Sequence, residues 1–102
     1  MVRQEIHNQV RIGEFREFYK LFQQLNEAVR NKKLTPSQLW TSYTGTVNRA
    51  VIVTDYETIE ALDREGTQFQ TDPDCMTLWR DMGKHLAEIP SSEIWESAYE
   101  IA

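Results

Sequence analysis

Cysteine occurs once among the 102 residues, so the chain can form no internal disulfide and a reducing compartment is the expected setting. Basic residues are scarce: eleven Lys and Arg stand against sixteen Asp and Glu, a net charge of −5. That balance argues against nucleic-acid or anionic-membrane partners, because phosphate binding needs a basic patch. No apolar run is long enough to span a bilayer, and Met1 to His7 lacks the apolar core of a signal peptide. The expected location is cytoplasmic. Two histidines and one cysteine are too few and too scattered for a zinc site. The chain has no CxxC, HExxH, glycine-rich phosphate loop or GxSxG, so no metal, nucleotide or other cofactor is expected. Internal repeats and low-complexity tracts are lacking as well.

What is present is apolar. A 40% hydrophobic and 11% aromatic content is too high for a disordered chain. The length suits one domain over residues 1–102. Such a chain buries only about 60–65% of its unfolded surface, so its core is thin and a partner subunit is expected to help.

Residues 2–12 alternate, with Val2, Gln4, Ile6, Asn8, Val10 and Ile12 on one face and Arg3, Glu5, His7, Gln9 and Arg11 on the other. Period two predicts a half-buried strand. After Gly13 the period changes. Phe15, Phe18, Tyr19, Phe22, Leu25 and Val29 recur as one stripe of an amphipathic helix, which Pro36 cannot continue. Residues 39–43 form a second strand. Residues 45–48 are turn-like, and 50–54 form a short, continuously apolar strand. Thr54 and Glu57 fit a capping box opening a second helix that weakens near Gly66 and stops before Thr71. Asp72 and Pro73 then restart it, an acidic cap followed by proline at the first helical position. Cys75, Met76, Trp79, Met82, Gly83 and Leu86 share one face of that piece, and Pro90 ends it. Residues 94–101 alternate again as a last strand.

The order β-α-β-β-α-β is ferredoxin-like: an α+β fold with a four-stranded antiparallel sheet and both helices on one face. Leu39 and Trp40, Ile52 and Val53, and Ile94 and Trp95 occupy opposite sides of their strands. A lone two-layer domain would leave one of each pair in water, so the bare face predicts a second copy. Glu96 and Glu100 are expected to share that face with the arginines of the first strand, since opposite charges pair favourably across strands. Trp95, Tyr99 and Ile101 would then pack under the helices.

Candidate functional residues follow from this layout. Asn8 and Gln4 place amides on the apolar face, where each must find partners or orient a ligand. Tyr19, Phe22, Trp79 and Met82 are the aromatic and thioether groups best placed to wall a pocket beside Asn8. His7 can be a general base near neutrality or a hydrogen-bonded interface residue. His85 suits the end of the last helix. Cys75 lies near a helix N-terminus, which can lower a thiol pKa, but no base accompanies it in sequence.

The element order, and the second helix interrupted by Thr71-Asp72-Pro73-Asp74 and resumed as Met76-Thr77-Leu78-Trp79-Arg80, resemble the dimeric α+β barrel superfamily. Within it the chain is most similar to NIPSNAP-like domains, with the antibiotic-biosynthesis monooxygenase group second. The resemblance implies a homodimer whose sheets face each other, with a ligand cavity between helices and sheet in each subunit. It implies a small apolar or aromatic ligand. The alternative it offers is a cofactor-independent monooxygenase or isomerase acting on an aromatic or polyketide-like molecule. Haem-degrading relatives carry an Asn on the first strand, which Asn8 resembles, and a His on the second helix, where this chain has Trp79.

Overall fold

Alternation in the first segment does produce a strand, β1 (Val2–Gln9), and the later elements are α1 (Phe15–Asn31), β2 (Gln38–Thr41), β3 (Arg49–Tyr56), α2 (Ile59–Thr71), α3 (Pro73–Gly83) and β4 (Ser91–Glu96). They come from a computed structural model that describes residues 1–42, 44–45 and 47–98. Tyr43, Tyr99, Glu100 and Ile101 therefore lie outside the described residues. The strands form one antiparallel sheet in the order β2-β3-β1-β4, with the ferredoxin-like connectivity expected.

β1 is shorter than its alternation. Gly13 turns the chain at a φ of 87°, and Ile12 is 88% exposed beyond the strand. α1 buries Phe18, Phe22, Leu25 and Val29, the stripe its periodicity marks. It stops in a left-handed cap. Lys33 sits at φ 62° and donates to Arg30 O at 3.0 Å, while Leu34 N reaches Val29 O at 2.9 Å. Leu34 and Val29 are both buried beside that cap, as such motifs favour.

The expected capping box at Thr54 does not form. Thr54 is a buried residue of β3, because pairing with β1 continues through Val2↔Tyr56, Arg3↔Asp55 and Gln4↔Thr54 and satisfies that backbone. Thr58 is the N-cap instead, its hydroxyl accepting from Ala61 N at 3.1 Å. The helix also passes through Gly66 to Thr71 without a break. Asp72 acts as foreseen: its Oδ1 accepts from Cys75 N at 3.0 Å, and Pro73 opens α3.

β4 lies beside β1 as expected, but its register overturns the charge pairing. Val2 faces Glu96 and Arg3 faces Trp95. Glu96 thus shares the helix-side face with Val2, and Trp95 stands 56% exposed on the other. Arg3 takes its acid from the opposite neighbour: Asp55 of β3 accepts from Nε at 2.8 Å and from Nη2 at 3.0 Å. The acid that answers Arg3 is on β3 and not, as expected, on β4. All helices lie on one face, over a core that joins Val10, Phe18, Phe22, Ile52, Cys75 and Met82.

Candidate functional site

Between α1, α2, the start of α3 and the sheet lies a cavity of about 280 Å³. Its apolar wall includes Ile6, Phe22, Leu25, Ile52, Phe69 and Trp79. Phe69 and Trp79 meet edge to face at 6.1 Å between ring centres, a favoured aromatic geometry. The polar groups come from five places: Gln4 on β1, Asn26 on α1, the loop after α1, the end of β3, and α2. Asn26 pins the loop, accepting from Ser37 N at 2.7 Å and donating to Ser37 O at 3.1 Å. The Ser37 hydroxyl meets that of Thr54. Glu65 reaches across from α2 to accept from Thr35 N at 2.5 Å and Thr35 Oγ1 at 2.8 Å. Tyr56 stands near it, its phenol pKa pushed up first by burial and then by the Glu65 charge. Gly66 completes the opening. A Cβ there would meet nothing within 4 Å, although glycine inside a helix costs about 0.5–1 kcal/mol relative to alanine.

A second cleft of about 450 Å³ is more open and lies between Asn8, Phe18, Trp79, Met82 and residues 86–90. Asn8 is only 3% exposed, and its Nδ2 donates to Ile6 O at 3.0 Å and Ala50 O at 3.2 Å. Both amide hydrogens are thereby spent on backbone, which is what a buried amide needs.

The residues singled out from sequence thus divide. Phe22 and Trp79 line the first cavity, and Asn8, Met82 and again Trp79 line the second. Tyr19 is 45% exposed on α1 and lines neither. Sequence reasoning missed Thr35, Ser37, Thr54, Tyr56 and Glu65, which come from separate elements and meet only through the tertiary fold. Gly66 was the available signal, a helix-interior glycine noted for its weakness and not for the room it leaves.

The lone cysteine is closed off. Cys75 is fully buried, and its thiol pKa is pushed up by burial and by Asp72, opposite to the lowering that a helix N-terminus can cause. His85 ties the end of α3 to α1, its Nδ1 lying 2.9 Å from Glu14 Oε1.

The open face of the sheet carries a different set. Trp40 of β2 pairs with Val51 of β3, and Trp40 is 57% exposed. Glu5, His7 and Glu93 meet there with ligand atoms within 4.8 Å of one another, because Glu5 faces Glu93 across the β1–β4 ladder. The scattered histidine count did not foresee this grouping. Arg49 donates to His7 Nδ1 at 3.2 Å, so the imidazole carries its proton on Nε2 and gives it to Glu5 Oε1 at 3.1 Å.

These features define the class: an α+β ferredoxin-like domain with a cavity on its helix side and a largely bare sheet on the other. Its structural neighbours include NIPSNAP-domain and antibiotic biosynthesis monooxygenase proteins, as the sequence resemblance implied. An uncharacterized NIPSNAP domain protein from Burkholderia xenovorans superposes with a TM-score of 0.80 at 18% identity, covering 100% of this chain and 99% of its own. A NIPSNAP family protein from Agrobacterium tumefaciens gives 0.78 at 12% identity, covering 93% of this chain and 90% of its own. An antibiotic biosynthesis monooxygenase gives 0.77 at 13% identity, covering 97% of this chain and 100% of its own. No protein-family model and no curated protein matches the chain. Identity this low establishes a shared fold and leaves chemistry to the site. No helix among the described residues is long and apolar enough to cross a membrane.

Proposed function

We propose that the protein binds a small apolar or aromatic molecule in the helix-side cavity, and that it does so as a homodimer closed sheet against sheet. The cavity carries the first part. A module whose interior served only as core would be filled, whereas about 280 Å³ is open here. That volume is just under the roughly 300–1,000 Å³ of common ligand pockets, so the ligand is small. Mixed lining supports it too: an aromatic wall and a few convergent polar groups are how such pockets bind and orient a guest.

The homodimer is supported by the bare face. Trp40 and Trp95 are more than half exposed, and every residue of β4 is exposed along a sheet edge. Soluble chains cover apolar patches and unpaired edges of this kind. A second copy brings the same patch and is self-complementary across a two-fold axis.

A catalytic version of the same proposal is a cofactor-independent monooxygenase or isomerase. The name of one structural neighbour and the Phe69–Trp79 wall, suited to a flat ring, favour it. Oxygen uptake with a bound aromatic substrate distinguishes the monooxygenase from binding alone, and conversion of the substrate to an isomer without oxygen uptake distinguishes the isomerase.

Calorimetric titration with naphthol tests the site. Wild type should bind, and Gly66→Phe, which projects a ring into the cavity, should lose binding while keeping its helical circular dichroism. Unchanged binding in Gly66→Phe removes the cavity as the site. Sedimentation at micromolar concentration should show a dimer; a monomer contradicts the assembly.

A further inference from the structure

The charge on the cavity wall narrows what can occupy it. Among the described residues, Glu65 is the one ionised group lining the cavity, and no Lys, Arg or His lines it. Glu65 is held by hydrogen bonds alone, from Thr35 N and Thr35 Oγ1. Among the described residues no cation lines the cavity to answer its charge. Each carboxylate oxygen still has acceptor capacity, since one can take about two hydrogen bonds and each takes one here. Among the described residues the amide of Gln4, half-buried on the same wall, has no side-chain hydrogen-bond partner and is the second unspent polar group. Tyr56 stays a neutral phenol beside them, burial and Glu65 both favouring its protonated form.

We infer that the cavity selects an aromatic ligand bearing a hydrogen-bond donor, a hydroxyl or an ammonium group aimed at Glu65, and rejects ligands that carry a carboxylate or phosphate. The inference rests on the cavity being the binding site. Its physical basis is that an anion seated near Glu65 meets a like charge, with no cation on the cavity wall to offset its desolvation. A donor group meets the reverse, because a hydrogen bond to a charged acceptor is stronger than one between neutral groups. Fatty acids, phosphate esters and acyl carriers with exposed phosphates are excluded on this ground.

Three probes sharing one naphthalene body make the test: naphthol, naphthylmethylammonium and naphthoate, each titrated calorimetrically at neutral pH. In wild type the ammonium and hydroxyl probes should bind at least about tenfold more tightly than naphthoate. Glu65→Gln, close to isosteric, should bring ammonium and carboxylate probes to within about threefold of each other. Equal or tighter binding of naphthoate to wild type, abolished by Gly66→Phe, overturns the selection while leaving the cavity as the site. Failure of all three probes to bind, or binding that Gly66→Phe leaves intact, overturns the cavity itself. Should Glu65→Gln not fold, the wild-type ranking of the three probes still decides the matter.

Discussion

The two faces of the sheet are built from the same strands and have opposite characters. On the helix side, side chains from β1 and β3 meet α1, α2 and α3, and every buried side-chain polar atom among the described residues has a partner. On the other side the same strands carry Arg3, Asp55, His7, Arg49 and Val51, flanked by two exposed tryptophans. Period two is the whole cause of the difference, since neighbouring residues of a strand point to opposite faces. The contrast separates two tasks. A covered face can hold a cavity with fixed polar groups, and an uncovered one with large aromatics suits association.

The contrast can be broken most severely from the covered side. Phe18 is fully buried against both the core and the second cleft, so Phe18→Ala should lose about 3–5 kcal/mol of folding free energy. Urea denaturation measures it, and a loss comparable to a surface substitution would show that the helix-side core is not the source of stability. Trp40→Ala tests the other face. It should weaken the proposed dimer by about 2 kcal/mol or more, roughly thirtyfold, as aromatic anchors do, with little change in helical signal. Sedimentation equilibrium reads this out, and an unchanged association constant would remove Trp40 from the interface.

The smallest effect is electrostatic. The Arg3 guanidinium holds the Asp55 carboxyl below its ordinary 3.8, so the pair's contribution is fully present above that pH and is lost as pH falls through the lowered value. Both groups are partly exposed, so solvent screening keeps the contribution under about 1 kcal/mol. Asp55→Asn should therefore flatten the acid limb of the stability profile and change little at neutral pH. A loss of several kcal/mol at neutral pH would mean the pair is buried in the assembled protein.

Local pattern carried the element order because it depends on period and caps, both visible in one short window. The stripe from Phe18 to Val29 and the Asp72-Pro73 restart are of this kind. Register is different. A slip of one residue exchanges the faces of a whole strand, and nothing within residues 94–101 specifies which acid or aromatic faces Arg3. Charge complementarity pointed to Glu96, while Asp55 lay equally well placed on β3. The cavity was harder still. Phe22 and Trp79 were recognisable as aromatic wall, but Thr35, Tyr56 and Glu65 are ordinary polar residues until the fold brings them together. The Thr54 capping box failed for a related reason, since strand pairing with Gln4 outcompeted a local cap.

The three tryptophans report on the two faces separately, which makes their indole N–H resonances the most direct test of the division. Trp79 lines the cavity, whereas Trp40 and Trp95 stand on the open face. In one nitrogen-15-labelled sample, adding naphthol should shift the Trp79 signal and leave the other two in place. Dilution through the dissociation range of the proposed dimer should shift Trp40 and Trp95 and leave Trp79 unmoved. A ligand that moves Trp40 or Trp95 but not Trp79, or a dilution series that moves Trp79 alone, would contradict the assignment of binding to one face and association to the other.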